Sequence, residues 1–474
     1  MAEVRSGKDT GLASLLHNEI SPGSLEAKDL ACLLHPTTNL RQHHEQGPTI
    51  MVEAKGIYLT DNHGKQYIEG MAGLWCTALG YGEEELIQVA EKQMRSLCYS
   101  QLFGGRSNEP SILLAEKIQS MVPIESGRVF FGLSGSDAND TQIKLMWYYN
   151  NLIGRPEKKK IISRQRGYHG VTIGSGSLTG LQPFHTNFDL PLAGILHTDV
   201  AYYYRGAEPG ESELDYSSRL ADNLEQLILS EGPETVAAFI AEPVMGAGGV
   251  YTPPKGYFEK IQVVLNKYDV AFIDDEVICG FGRTGKAFGA DTYNIKPTTM
   301  SMAKALSSAY LPISAVVVPE FMYEALIDGS DQAGTFGHGY TYSGHPVCAA
   351  VALRNLELME ERNIFQHVEK VSPVFLERLH ALKTHHLVGD TRGVGLIGAV
   401  ELVQNKSTKQ AFNPGDGVGA YCTASCEARG LIVRNLGDSV AFCPPLIINE
   451  EQIHEVFDKF TEALSDVAKF VVSR

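Results

Sequence analysis

An open α/β fold, with a doubly wound and largely parallel sheet and a smaller α+β unit after it, is the class this sequence predicts. Three observations carry it. From about residue 85 to about 335, short apolar segments take turns with longer amphipathic ones, the pattern of strands joined by crossover helices. Several short segments, such as "VAAFIAEPV" and "VAFIDDEV", are apolar without alternation, as strands covered on both faces are. The second of these carries acids at its carboxyl end, where open α/β sheets place their ligands.

Taken in order, the segment "TIMVEAKGIYLTDNHGKQYIEG" reads as short alternating strands turning at Asp61-Asn62-His63-Gly64. "GRVFFGLSG" is a strand entering a loop of small residues, and "SDANDTQIKLMWYYNNLIG" is a helix. "KKIISRQRGYHG" is a strand, "ESELDYSSRLADNLEQLILS" a helix, and "VAAFIAEPV" a strand. "PPKGYFEKIQVVLNKYD" is a helix, while "VAFIDDEV" and "ISAVVVP" are strands. A long helix starts near His345-Pro346, followed by the strands "GLIGAVELV", "LIVRNL" and "AFCPPLII". In the closing helix Asn449 suits the cap, and Ile453, Val456, Phe457, Phe460, Leu464 and Val467 keep helical spacing. The division expected is an arm and small-domain segment over 1–84, a large α/β domain over 85–344 and a small α+β domain over 345–474. Residues 1 to about 34 read as a loosely ordered or partner-contacting arm.

The chain has 474 residues, is 43% hydrophobic and 20% charged, and carries a net charge of −16. That acidity argues against a nucleic-acid surface and against attraction to anionic membranes. Eight scattered cysteines show no metal-site spacing, and no metal is expected. With no leader-like or spanning apolar stretch, a cytoplasmic enzyme is expected.

The stretch "FIDDEVICGFGRTGKAFG" holds a complete G-x-G-x-x-G at Gly280, Gly282 and Gly285 and nearly a triphosphate loop ending at Lys286. Neither nucleotide reading survives its context. No clear helix follows Gly285, no acid lies about twenty residues on, and Ala287 stands where a magnesium-binding hydroxyl belongs. The carboxylates ahead of the glycines are more telling, because buried acids need a cationic or hydrogen-bonding partner. Lys304 sits among small and apolar residues, where desolvation lowers an amine's pKa and makes it nucleophilic. Ser134, Gly135 and Ser136 join a strand to a helix, an anion site suited to phosphate. "QRGYHG" offers Tyr168 and His169 as a platform for a flat ring. Phosphate cradle, ring platform, carboxylate and desolvated lysine together describe pyridoxal 5′-phosphate.

"FIDDEVICGFGRTG", "MAKALSSAYLP" and "HGYTYSGHP" resemble the class III aminotransferases of the fold-type I pyridoxal-phosphate enzymes, and most closely the ω-transaminases. The likeness runs from "EGMAGLWCTALGYG" to "RNLGDSVAFCPPLIINEEQI". It implies a mostly parallel sheet of the seven-stranded type. It also implies that Lys304 bonds the cofactor, is displaced by the incoming amine, and then carries the proton between substrate Cα and cofactor. Asp275 would keep the pyridine nitrogen protonated, Val277 would pack on the ring, and Asp274 would face away. Glu276 takes no part beyond local hydrogen bonding. Gly135 and Ser136 resemble the phosphate-binding pair, although Leu133 and Asp137 replace the usual Asn and Glu. Tyr168 would stack on the ring with His169 beside it, and Glu242 would support the ring's hydroxyl side.

By the same resemblance Tyr340 and Thr341 reach the phosphate of a neighbouring subunit, which implies a homodimer with shared sites, and dimers could pair into tetramers. Trp75 matches an aromatic wall of the amine pocket, and Arg434 an arginine that grips the substrate carboxylate. Thr37 or Thr38 replaces an aromatic residue, and two glycines follow Phe103, so a roomier pocket entrance is expected. The activity implied is ping-pong transfer from a primary amine (ω-amino acid, diamine or aryl-alkyl amine) to an α-keto acid, chiefly pyruvate. A relative using the cofactor for decarboxylation, racemisation or an amino shift is the alternative within the class. A P-loop-like nucleotide-binding enzyme is the alternative outside it.

Overall fold

The computed structural model describes residues 20–473. The reading of the amino-terminal arm falls largely outside them. Within them, Leu25–Cys32 and Leu40–Gln46 form two short helices, capped by the side chains of Ser24 and Asn39. β1 (Met51–Lys55), β2 (Tyr58–Asp61) and β3 (Gln66–Glu69) follow as an antiparallel meander. The turn between β2 and β3 is locked by Asp61, whose carboxylate accepts the N–H groups of His63 and Lys65 at 2.9 Å each.

The central sheet consists of β4 (Arg128–Gly132), β5 (Lys160–Arg164), β6 (Ile195–Thr198), β7 (Val236–Ala241), β8 (Ala271–Asp275), β9 (Thr299–Met302) and β10 (Ser314–Val318). Its order is β4-β10-β9-β8-β7-β5-β6. Only β10 runs antiparallel to its neighbours; the other pairings are parallel. Helices Gly135–Leu152, Glu213–Glu231 and Tyr257–Lys267 fall where the apolar spacing predicts them.

β6 and β9 were not legible in the sequence. Both are only four residues long, and β9 reads "TMSM" although every residue in it is buried. Its hydroxyls are tolerated because Gln142, from the helix above, donates to Ser301 at 3.1 Å and accepts from Thr299 at 2.8 Å.

After the helix Pro346–Glu361 comes a second, Ile364–Ala381, which the spacing did not reveal because Pro373 lies inside it. β11 (Val388–Val394) and β12 (Ile397–Leu402) form a hairpin. The segment "LIVRNL", expected as one strand, is divided between two sheets. β13 (Leu431–Ile432) pairs in parallel with β3, whereas β14 (Arg434–Leu436) pairs with β15 (Ser439–Phe442). The final helix, Glu450–Val472, opens on a reciprocal cap between Asn449 and Gln452, and all six predicted core residues are buried. No helix among the described residues is long and apolar enough to cross a membrane.

Candidate active site

The parallel sheet aims its strand ends at one cavity. Glu242 follows the last residue of β7, Asp275 ends β8, and Lys304 lies just past β9. Adjacent strands lie about 4.8 Å apart, so three consecutive strands bring a carboxylate, a second carboxylate and an amine around one small space. The cavity, of about 110 Å³, is lined by Gly135, Ser136, Asn139, Tyr168, His169, Gly170, Glu242, Asp275, Val277, Ile278 and Lys304. Hollows of about 520 and 1060 Å³ lie elsewhere, but neither gathers this set of groups.

Asp275 is the most tightly held member. Its Oδ2 accepts from Asn139 Nδ2 at 2.7 Å and lies 2.7 Å from His169 Nδ1, and Oδ1 accepts the Val277 N–H at 3.1 Å. Asn139 also donates to the His169 carbonyl at 2.8 Å, tying the two elements together. Sequence reasoning missed Asn139. Its signal was present, since it stands one helical turn after Gly135 and therefore shares its face.

Glu242 accepts the N–H groups of Tyr168 at 3.0 Å and Gly246 at 2.9 Å, while burial raises its pKa. Asp274 is buried outside the cavity, as alternation along β8 requires. Burial first, and then neighbouring Glu276, push its carboxyl well above the usual range. Glu276 accepts from the N–H groups of Gly289 and Ala290, which is local hydrogen bonding, and burial pushes it up to about 7.

Lys304 makes no salt bridge among the described residues. Burial lowers its pKa, against the pull of Cys76, Asp275 and Glu242. Its backbone sits at φ +49°, in the left-handed region that costs a side-chain-bearing residue about 1 kcal/mol or more.

The anion end is built from backbone. Ser134 caps the helix by accepting the Asp137 N–H, and Asp137 returns the contact to the N–H groups of Ser134 and Leu133. Asp137 therefore does capping work despite replacing Glu, and Ser134 is exposed and outside the lining. Gly135 and Ser136 begin the helix with their N–H groups free of that cap. A Cβ on Gly135 would stand 3.0 Å from Val277 Cγ1, so glycine is what allows this turn to press against the cavity wall.

Other expected site residues lie apart. Trp75 is buried in an apolar cluster with Ile278, which itself reaches the cavity. Phe103 is 49% exposed. Tyr340 donates its hydroxyl to the Asp137 carbonyl of its own chain at 3.1 Å, and Thr341 is exposed. Arg434, at the start of β14, is close enough to Tyr168 for the two to affect each other's ionisation. Burial lowers its pKa, and among the described residues it makes neither an ion pair nor a hydrogen bond through its guanidinium. The glycine-rich stretch opens no phosphate loop. Gly282 and Gly285 turn at φ +105° and +90°, and Lys286 pairs with Glu369 at the surface.

Comparison with known proteins decides the family. Residues 40–464 match the family described as Aminotransferase class-III. The chain belongs to the class III aminotransferases. It is 48% identical over 452 residues to gamma aminobutyrate transaminase 3, chloroplastic, of Solanum lycopersicum, covering 95% of this chain and 87% of that protein. It is 50% identical to gamma aminobutyrate transaminase 2 of the same plant, covering 90% and 93%. Among solved structures it superposes on the omega transaminase from Pseudomonas jessenii in complex with PMP with a TM-score of 0.93 and 49% identity, covering 94% of this chain and 99% of that one. The fold is thus that of the fold-type I pyridoxal-phosphate transferases, and the chain is a transaminase.

Enzymes of this class use pyridoxal phosphate. The cavity fits that group on its own chemistry. It offers an amine without an anionic partner, a fixed carboxylate, and helix N–H groups against a glycine. Two buried polar atoms at its edge, His169 Nε2 and Asn139 Oδ1, lack a hydrogen-bond partner among the described residues.

Proposed function

We propose that this aminotransferase moves the amino group of an ω-amino acid such as γ-aminobutyrate, or of another primary amine, to pyruvate in two half-reactions. The observation that carries the acceptor side is Arg434. A half-buried guanidinium without an internal partner among the described residues, within electrostatic reach of Tyr168, is suited to grip a carboxylate bidentately. The names of the gamma aminobutyrate transaminases similar to this chain support an ω-amino acid as donor.

When bound, pyridoxal phosphate supplies the aldehyde that takes up the amino group and a ring that accepts the electron pair left at the substrate carbon. The chain's own residues do the rest. Lys304, whose charge is easily removed, takes the proton from substrate Cα and returns it on the acceptor side. Asp275, fixed by Asn139 and His169, holds a proton on the ring nitrogen. When the cofactor is bound, the first-turn N–H groups of Gly135 and Ser136 would hold its phosphate, Tyr168 and Val277 would pack on its ring, and Glu242 would support its hydroxyl side.

The remaining readings belong to the same proposal. Phe103 and Thr341 lie on this chain away from its own cavity, which supports a homodimer in which each copy completes the other's site. Eight free thiols support a reducing, cytoplasmic setting. The grouping of β4 to β10 in one sheet supports the division at residues 84 and 344.

The test is the visible spectrum of the purified holoenzyme. γ-Aminobutyrate alone should bleach the yellow band, and pyruvate should restore it. A band that bleaches with other amines but not with γ-aminobutyrate refutes the donor assignment. A band indifferent to every amine refutes the half-reactions themselves.

A further inference from the structure

Asp29 lies on the helix Leu25–Cys32, His35 in the following loop and His43 on the helix Leu40–Gln46. Folding brings all three together. His35 Nε2 lies 3.0 and 2.9 Å from the two Asp29 carboxylate oxygens, and His43 Nε2 lies 3.0 Å from Oδ1. One donor atom from each of the three lies within 4.8 Å of the others. The two rings meet at 4.0 Å between centroids and 44° between planes.

His35 Nε2 is nearly equidistant from the two Asp29 oxygens, and His43 Nε2 faces Oδ1 as well, so both imidazoles turn the same ring nitrogen toward one carboxylate. Two imidazoles and a carboxylate converging on one point are the donor set of an imidazole-preferring divalent ion, with further positions left for water. Side-chain exposures of 26% and 13% for the histidines and 13% for Asp29 leave the group reachable yet held in place.

We propose that Asp29, His35 and His43 form a zinc site that clips the two amino-terminal helices together, apart from the cofactor cavity.

The test uses the full-length holoenzyme without an affinity tag, stripped with EDTA and dialysed against micromolar Zn²⁺, with metal measured by mass spectrometry. The expected result is one zinc per chain, lost in Asp29→Asn and in His43→Gln, with cofactor absorbance and transaminase activity unchanged. A parent protein that retains no zinc overturns the proposal, as does equal retention by all three proteins. Should a variant lose its cofactor absorbance, Co²⁺ bound to the parent decides. Ligand-field bands without a sulfur charge-transfer band support the site, and a sulfur band assigns the ion to cysteine and overturns it.

Discussion

Replacing Arg434 with Leu separates recognition of a carboxylate from everything else the cavity does. The guanidinium has no internal partner to strand among the described residues, and burial already disfavours its charge. Folding stability should therefore hold or rise slightly, since a desolvated cation is exchanged for apolar volume. Binding should suffer instead. A charge-assisted bidentate contact to a substrate carboxylate contributes about 2–4 kcal/mol in a desolvated site. Arg434 is only partly buried, so the lower end applies, about 2 kcal/mol or roughly 30-fold in kcat/KM. The assay is steady-state kinetics with pyruvate and with γ-aminobutyrate, run beside the half-reaction of 1-phenylethylamine, which has no carboxylate. Both carboxylate substrates should lose kcat/KM through KM, while the aryl amine is unchanged or improved. An equal loss for all three substrates would show that Arg434 supports the cavity wall and not the carboxylate.

Two further outcomes follow from the hydrogen bonds and ionisation described above. Asn139→Ala removes one of the contacts that hold Asp275, and a bond to a buried charged group is worth about 1.5–3 kcal/mol. The amine half-reaction, followed by stopped-flow bleaching, should slow by about 10- to 100-fold; an unchanged rate would mean that His169 and Val277 suffice. Glu69, buried at the end of β3, is pushed up to about 7 from an ordinary 4.5 by burial, against the N–H groups of Met71 and Gly73. A carboxyl raised in this way contributes stability below its ordinary value and loses it as pH rises through about 7, a change on the order of 3 kcal/mol. Glu69→Gln should therefore gain on the parent between pH 4 and 8 in denaturant midpoints, and parallel pH profiles would refute the assignment.

The chemistry of the site was legible because it rests on short-range rules. A lysine among small apolar residues, an acid ending an apolar strand, and a serine–glycine junction between strand and helix each declare themselves within about ten residues. The main sheet was legible in outline for the same reason, since strands covered on both faces need uninterrupted apolar runs. β9 escaped because its polar residues are satisfied by Gln142, more than 150 positions earlier in the chain, and no local pattern records that partner. Asn139 escaped because its value lies in reaching Asp275 across 136 residues of sequence.

Sequence alone, then, determined the cofactor class and singled out Lys304 and Asp275 as candidates, because a desolvated amine and a buried acid must be surrounded by residues whose types show it. Only the tertiary structure decided how "LIVRNL" divides between two sheets and so brings Arg434 to Tyr168. It alone drew Asp29, His35 and His43 to a single point. Such meetings depend on where the sheets and helices pack against one another, and packing between distant segments leaves no periodic trace in the chain.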